Sequence, residues 1–214
     1  MQTPKVDFKQ IKFLLSAPTL RQCPEDSGCE VAFAGRSNAG KSSAINTLSG
    51  NRGLARTSKT PGRTQLINHF QLDSQRRLVD LPGYGYAKVP KAIKAKWDHH
   101  LAEYLQQRRS LVGLVLLMDS RHPLQVYDQQ MLNWAAQAGL PTHILLTKAD
   151  KLKRGPAMAS LLKVEKLLRD MDPGCTLLSA QLFSSTKKIG LERLEQQLDH
   201  WLLQQHTASV DHQQ

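Results

Sequence analysis

The stretch of sequence that decides the fold is Gly35-Arg36-Ser37-Asn38-Ala39-Gly40-Lys41-Ser42. It matches the phosphate-binding pattern G-x-x-x-x-G-K-[ST] at every position, and it lies between the apolar run Glu30–Gly35 and the helical pattern Lys41–Ser49. Backbone N–H groups of such a loop surround a β-phosphate at a helix N-terminus. The lysine supplies a cation to the β- and γ-phosphate oxygens, and the serine hydroxyl ligates Mg²⁺. The stretch therefore predicts a nucleoside-triphosphate and magnesium site.

Strand-like apolar runs alternate with helical patterns along the chain. The strand-like runs are Glu30–Gly35, Gln65–Leu72, Arg76–Leu81, Leu111–Asp119, Thr142–Thr147 and Cys175–Phe183. The helical patterns are Lys41–Ser49, Lys91–Arg109, Gln125–Ala138, Ala157–Asp170 and Leu191–Gln204. Runs rich in Val, Ile and Leu are typical of strands covered on both faces, and a short polar turn joins the second and third runs as a hairpin. We predict a three-layer α/β fold with a six-stranded, mostly parallel sheet and one antiparallel edge strand.

Two later loops carry residues that would complete the phosphate site. Asp80-Leu81-Pro82-Gly83 ends the third run, which places Asp80 near Mg²⁺ through water and presents the Gly83 N–H to a γ-phosphate. Thr64, favoured over Thr60 because it adjoins the second run, would bring its hydroxyl to Mg²⁺ and its N–H to the γ-phosphate. That contact needs the γ-phosphate, so the loop is predicted to order with the triphosphate and relax with the diphosphate. An ordinary loop threonine is the alternative.

The choice of base is predicted by Thr147-Lys148-Ala149-Asp150, at the end of an apolar strand-like run. A carboxylate there accepts hydrogen bonds from the ring N–H and the exocyclic amine of guanine, a pair of donors that adenine lacks. The aliphatic stem of Lys148 can cover the face of the base. In Ras-like proteins a second base contact comes from a serine six residues before a glycine that opens the last helix. By that resemblance it is predicted at Phe183-Ser184-Ser185, because Ser184 lies six residues before Gly190 and Leu191 begins a helical pattern. Ser179-Ala180 lies inside an apolar run and is the rejected candidate.

Composition bounds the partners and the compartment. The net charge is +11, and residues 52–109 hold twelve Lys or Arg against four Asp or Glu, which is +8 of that total. Such a block favours a polyanionic partner, most simply nucleic acid, over the alternative of a solvated basic surface. Three cysteines without a Cys-x-x-Cys spacing support neither a disulfide framework nor a zinc site, so a reducing cytoplasm is expected. No apolar run is long enough for a membrane span.

Together these motifs resemble the EngB family of bacterial GTPases, over roughly residues 8–204. The most specific stretches are residues 33–43, 58–65, 79–87, 118–123 and 182–185. The resemblance implies a P-loop GTPase (Ras-like) fold, Mg²⁺ at Ser42 and Thr64, and bound GTP or GDP. It extends the nucleotide contacts to Ser43, Gly62, Arg63, Thr64, Gln65 and Leu66. It also implies a role in assembling the large ribosomal subunit, with its rRNA and ribosomal proteins as partners, and a link to cell division and septation.

Hydrolysis is assigned to Lys41, Thr64 and Gly83, but the residue that orients the attacking water is missing. In Ras-like proteins a glutamine directly after the switch glycine has this role, and here that position is Tyr84. Slow intrinsic hydrolysis, raised by a partner, is therefore predicted. Asn38 suggests K⁺ beside the phosphates, and a turn-forming asparagine is the alternative. Tyr84, Tyr86 and Trp97 could stack on RNA bases or pack in the core.

The predicted organisation is an N-terminal extension over residues 1–29, with a short docking helix in Ile11–Leu20 and a linker. A GTP-binding domain over residues 30–206 and a disordered tail over 207–214 follow. A monomer is expected. The main interpretation is a GTP-dependent switch in ribosome assembly, and the alternative is an RNA-binding module in which GTP is only structural. A P-loop kinase or ATPase is disfavoured by Thr147–Asp150.

Overall fold

The computed structural model describes residues 4–55, 66–84, 101–174 and 176–208. The strands are β1 (Lys12–Ala17), β2 (Cys29–Gly35), β3 (Ile67–Gln71), β4 (Arg76–Asp80), β5 (Leu111–Asp119), β6 (Thr142–Thr147) and β7 (Leu178–Leu182). The longer helices are α1 (Lys41–Ser49), α2 (Val126–Gln137), α3 (Arg154–Met171) and α4 (Leu191–Ala208), and residues 101–107 are helical as well. Within these ranges, no helix combines the length and apolar character that a membrane span requires.

The seven strands form one sheet in the order β1-β3-β4-β2-β5-β6-β7. The five adjacent strands β4, β2, β5, β6 and β7 run parallel to one another, whereas β3 is antiparallel to both β4 and β1. The three-layer, mostly parallel α/β fold with an antiparallel hairpin strand at one side is confirmed. The predicted count of six strands was wrong, because β1 adds a seventh strand outside β3.

That extra strand replaces the docking helix predicted over Ile11–Leu20, which was wrong. Residues Lys12–Ala17 pair antiparallel with β3, and the Ser16 hydroxyl donates to Asn68 Oδ1 at 2.6 Å. The ring of Phe13 meets Phe70 edge-on. A run as short as Phe13-Leu14-Leu15 does not distinguish a helix from a strand by its period, and the deciding partner lies some 50 residues further along the chain. Among the described residues, the helical structure near this segment consists of two 3-10 turns that flank the strand, Phe8–Gln10 and Leu20–Gln22.

Alternate residues of the central strands feed two apolar layers, one on each face of the sheet. On β2, Val31 and Phe33 join the layer beneath α1 and α4, whereas Ala32 and Ala34 join the layer beneath α2, α3 and residues 101–107. The helix predicted at Lys41–Ser49 has the bounds of α1. Of the helix predicted at Lys91–Arg109, only the last part lies within the described residues.

The fold places the functional loops at one edge of the sheet. Gly35, Asp80, Asp119 and Thr147 are the last residues of β2, β4, β5 and β6, and these four strands are parallel. Ligands of open α/β sheets bind outside the carboxyl ends of the strands. Among the described residues, the topology therefore brings the loop that follows Gly35, the Asp80 carboxylate and the Thr147–Asp150 motif to this edge.

At the opposite side of the sheet, where the parallel strands begin, a buried carboxylate joins β2 to its neighbours. Glu30, which is fully buried, accepts hydrogen bonds from Arg77 Nε at 2.7 Å, Arg108 Nε at 2.9 Å and the Tyr104 hydroxyl at 2.6 Å. Burial raises the pKa of Glu30, but the hydrogen bonds from Arg108 and Tyr104 outweigh it and hold the pKa below its ordinary value. Arg77 and Arg108 also donate to the Glu25 carbonyl, so the network fixes the segment that precedes β2.

We predict that Glu30→Ala lowers the free energy of unfolding by about 3–5 kcal/mol, because two buried guanidinium groups lose their carboxylate. Urea denaturation followed by circular dichroism measures the loss. As a matched control, Arg76→Ala removes the partly exposed ion pair with Asp73 and should cost no more than about 1 kcal/mol. Equal, small effects of both substitutions would contradict the structural role assigned to Glu30.

Candidate functional site

The loop between β2 and α1 has the curled shape that a phosphate cradle needs. Asn38 and Gly40 have positive φ angles of 62° and 98°, and Ala39 N–H donates to the Arg36 carbonyl at 2.9 Å. Glycine adopts the left-handed conformation at position 40 without steric cost. The chain then enters α1 at Lys41, and the N–H groups of a helix's first turn have no partner within the helix. These N–H groups, with Ser42 as the second residue of α1, suit an anion.

Lys41 and Asp80 form a buried ion pair at the centre of this edge. Lys41 Nζ contacts Asp80 Oδ1, and the two residues are 8% and 3% exposed. The pair brings the predicted phosphate cation and the predicted metal carboxylate to one point beside the start of α1. Lysine, carboxylate, hydroxyl and helix N-terminus together are a donor set that fits a magnesium-bound phosphate chain.

Residues 81–84 run beside the phosphate loop. Leu81 N–H donates to the Phe33 carbonyl at 3.0 Å, Tyr84 N–H to the Gly35 carbonyl at 3.3 Å, and Ser37 N–H to the Tyr84 carbonyl at 3.0 Å. These bonds hold the segment that contains Gly83, with Leu81 and Pro82, beside the loop between β2 and α1. Thr64, with Gly62, Arg63 and Gln65, lies outside the described residues, whereas Leu66 is described and partly exposed.

Tyr84 is buried, and its hydroxyl donates to Asp128 Oδ1 of α2 at 3.2 Å. Burial raises the pKa of Tyr84 well above its ordinary value and also raises the pKa of Asp128. Of the two roles considered for Tyr84, the structure supports core packing and gives no exposed ring for stacking on RNA. Tyr86 and Trp97 lie outside the described residues.

The base-reading motif is tied directly to the phosphate loop. The Thr147 hydroxyl lies 2.6 Å from the Ala39 carbonyl oxygen and 3.1 Å from that of Met118, so it joins the end of β6 to the cradle and to β5. Lys148, with a positive φ of 57°, reaches back so that its Nζ donates to the Asn38 carbonyl at 2.8 Å. Its aliphatic stem therefore extends across the gap between the two motifs.

Asp119 was missed as a site residue by the sequence analysis. It ends β5 and accepts from Lys148 Nζ at 2.9 Å and from Arg121 Nη2 at 2.6 Å. Burial raises the pKa of Asp119, but these hydrogen bonds outweigh it and hold the pKa far below its ordinary value. The signal was present in the sequence, since Asp119 ends the strand-like run that directly precedes the one ending at Thr147.

The two predicted base loops also meet. Ser184 Oγ donates to Asp150 Oδ1 at 2.6 Å, and Ala149 N–H donates to the Phe183 carbonyl at 3.1 Å. The hydrogen bond from Ser184, joined by the nearby Lys151, lowers the pKa of Asp150, so this carboxylate is charged at neutral pH. Ser185 lies beside α1, with its carbonyl 3.5 Å from the Thr47 hydroxyl. The rejected serine, Ser179, lies within β7 and contacts His143 instead.

The fold, the cradle and the motif that follows β6 define a P-loop GTPase. Residues 30–148 match the family model described as "50S ribosome-binding GTPase". The chain is 55% identical over 203 residues to the "Probable GTP-binding protein EngB" of Aeromonas salmonicida (strain A449), with 95% of this chain and 92% of that protein covered. The chain belongs to the EngB family of GTP-binding GTPases.

Solved structures show the same fold at low sequence identity. A crystal structure of a probable GTP-binding protein engB superposes with a TM-score of 0.66 at 21% identity, covering 82% of this chain and all of that one. The structure of Era in complex with MgGDPNP and nucleotides 1506–1542 of 16S ribosomal RNA superposes with a TM-score of 0.60 at 19% identity, covering 82% of this chain and 57% of that one.

Proposed function

We propose that this chain is a slow GTPase that acts as a nucleotide-dependent switch in assembly of the large ribosomal subunit in the bacterial cytoplasm, with a link to cell division and septation. The observation that carries the nucleotide part is the direct bond between the base motif and the phosphate loop, from Thr147 Oγ1 to the Ala39 carbonyl. It holds the end of β6 against the loop between β2 and α1, which supports a single nucleotide site that spans both. The ribosomal part is supported by the family description and by the charge of the chain.

The proposed phosphate half of the site is built around the buried Lys41 ammonium group. Lys41 Nζ, now paired with Asp80, would bind β- and γ-phosphate oxygens, and the N–H groups of Gly35–Ser43 would surround the β-phosphate. Mg²⁺ would be held by Ser42, Thr64 and Asp80, and when bound it neutralises charge that develops on the phosphates. Gly83, held beside the cradle by its neighbours, would present its N–H to the γ-phosphate.

The base half follows from the charged carboxylate of Asp150. It would accept from the guanine ring N–H and exocyclic amine, while the stem of Lys148 covers one face of the base. Ser184 would orient the carboxylate through the 2.6 Å hydrogen bond that it donates, and the Phe183–Ser185 loop would close the other side of the base pocket. An unpaired carboxylate facing adenine is costly, which is the source of the base preference.

We predict that Asp150→Asn weakens GDP binding about 100-fold, because the amide cannot accept from both guanine donors. The same amide accepts from the xanthine ring N–H and donates to the carbonyl that replaces the guanine amine. The variant should therefore bind xanthosine diphosphate more tightly than GDP, measured by isothermal titration calorimetry with Mg²⁺. Retention of the guanine preference by the variant would contradict the role given to Asp150.

Hydrolysis is expected to be slow without a partner. Tyr84 holds the position after the switch glycine, and its hydroxyl is occupied by Asp128 rather than free to orient water. We predict a single-turnover rate below about 10⁻² s⁻¹ for the chain alone, as for unassisted GTPases. A faster rate of the isolated protein would show that a water-orienting group has been overlooked.

A K⁺ ion beside the phosphates is a separate part of the proposal. The exposed position and positive φ of Asn38 agree equally with its alternative role as a turn former. If K⁺ participates, single-turnover hydrolysis is faster in KCl than in NaCl, and Asn38→Ala abolishes the difference. Equal rates in the two salts would remove K⁺ from the mechanism.

The basic block over residues 52–109 contributes less surface charge than its composition indicates. Arg77 and Arg108 are buried against Glu30, and Arg76 pairs with Asp73. Most of the remaining basic residues of the block lie between positions 56 and 96, outside the described ranges. The polyanionic partner is therefore proposed for the stretch that includes the predicted switch loops, where nucleotide state and rRNA binding would be coupled.

We predict that the protein co-sediments with large ribosomal subunits more strongly with a non-hydrolysable GTP analogue than with GDP, because the switch loops order around the γ-phosphate. The Asp150→Asn variant is the matched control: it should lose the effect of the GTP analogue and regain it with the xanthosine analogue. Equal binding in the GDP and GTP-analogue states would favour the alternative, an RNA-binding module in which GTP is only structural.

A further inference from the structure

A buried polar chain lies beneath the proposed base loop and is used by none of the motifs. His143 on β6 and Gln181 on β7 are 1% and 2% exposed. His143 Nδ1 lies 2.7 Å from Ser179 Oγ and its Nε2 lies 2.9 Å from Gln181 Oε1. Gln181 Nε2 then donates to the Gly190 carbonyl at 2.6 Å. The polar chain runs from Ser179 on the edge strand β7, through His143 on β6 and Gln181, to the residue that precedes α4.

The donors and acceptors of this chain have one consistent arrangement. The Gln181 amide nitrogen must point to the Gly190 carbonyl, so its oxygen faces His143 and accepts from Nε2–H. His143 Nδ1 then accepts from the Ser179 hydroxyl. Burial lowers the pKa of His143 to about 4, which keeps the ring neutral and in this tautomer at neutral pH. Gln181 is thereby fixed at both ends of its amide.

Only glycine leaves room at position 190 for the side-chain amide of Gln181. The φ of Gly190 is 73°, and a Cβ at this position would lie 2.5 Å from Gln181 Nε2 and 2.4 Å from the Leu182 carbonyl oxygen. The same Gly190 carbonyl accepts from Leu194 N–H, the start of α4. Gln181 therefore holds the point where the base loop ends and α4 begins.

The position of Gly190 also determines the position of Ser184. Ile189, the residue before Gly190, pairs with Ser184 across the loop, since the Ser184 N–H donates to the Ile189 carbonyl at 3.1 Å. Lys187 N–H donates to Ser184 Oγ at 3.1 Å, and Ser184 Oγ donates to Asp150. A displacement of Gly190 is thus passed to Ser184, and through it to the carboxylate proposed to read guanine.

We propose that Gln181, itself oriented by His143, is a positioning residue for guanine recognition: it fixes the loop that orients Asp150 without touching the nucleotide. The inference rests on the proposed base site. A residue that only stabilises the sheet would affect all nucleotides alike. Loss of the Gln181 amide is instead expected to change the preference for guanine and to leave the phosphate contacts unchanged.

The test compares the binding of GDP, IDP and GMP to the full chain and to Gln181→Met, which keeps the side-chain length and removes both hydrogen bonds. IDP lacks the exocyclic amine, so the ratio of IDP to GDP dissociation constants reports the Asp150 contact. We expect Gln181→Met to weaken GDP binding about 5- to 20-fold and to narrow that ratio. The ratio of GMP to GDP dissociation constants, which reports the phosphate cradle, should stay unchanged.

Two further variants separate positioning from stability. Gln181→Glu keeps an acceptor for His143 and loses the donor to Gly190, so it should narrow the same ratio, and it carries the test if Gln181→Met does not fold. Ser179→Ala removes the far end of the chain and leaves the Gly190 contact, so its base preference should match the wild type. An unchanged ratio of IDP to GDP dissociation constants in the Gln181 variants, even with weaker binding of both nucleotides, would overturn the inference. A wild-type protein that does not prefer GDP to IDP would overturn the proposed base site as well.

Discussion

The position of the Thr147 hydroxyl is the constraint on which the rest of the site depends. Thr147 ends β6, and its Oγ1 lies 2.6 Å from the Ala39 carbonyl oxygen in the phosphate loop and 3.1 Å from the Met118 carbonyl oxygen on β5, so its one proton is shared with, or donated to the nearer of, two acceptors. Separating the two loops would leave a buried polar group without its hydrogen bond, which is costly. The distance between the cradle and the residues that follow β6 is therefore fixed by the protein before any ligand contributes.

Around that constraint, charge is arranged in two separate places. Lys41 and Asp80 face each other at the phosphate end, and Lys148 and Asp119 face each other between the phosphate and base ends. Each lysine is thereby held by a carboxylate at the edge where the parallel strands end. In the proposed nucleotide site, such pre-organisation would lower the entropy lost on binding, because both lysines are already held in place.

Much of this was predictable because the decisive signals are local. The phosphate loop, the Asp80 turn and the Thr147–Asp150 motif are each contiguous and follow a strand-like run. The choice of Ser184 over Ser179 also came from a local spacing to Gly190. In the structure, Ser184 bonds to Asp150 and Gly190 accepts from the Gln181 amide.

What the sequence could not provide depends on distant partners. The strand β1 is defined by pairing with β3, which no local period reveals. The buried state of Arg77 and Arg108 depends on Glu30, far away along the chain, so a count of charges placed them on the surface. For Tyr84 the sequence allowed either stacking on RNA or packing in the core. The choice depends on Asp128 of α2, which accepts a hydrogen bond from its hydroxyl.

The phosphate loop and the Thr147–Asp150 motif are together proposed to bind one guanine nucleotide. The most direct measurement is calorimetric titration of the wild-type chain with Mg·GDP and with Mg·ADP under the same conditions. One guanine nucleotide per chain, bound at least about 100-fold more tightly than the adenine nucleotide, is the predicted result. Equal affinities, or tighter binding of ADP, would contradict the account.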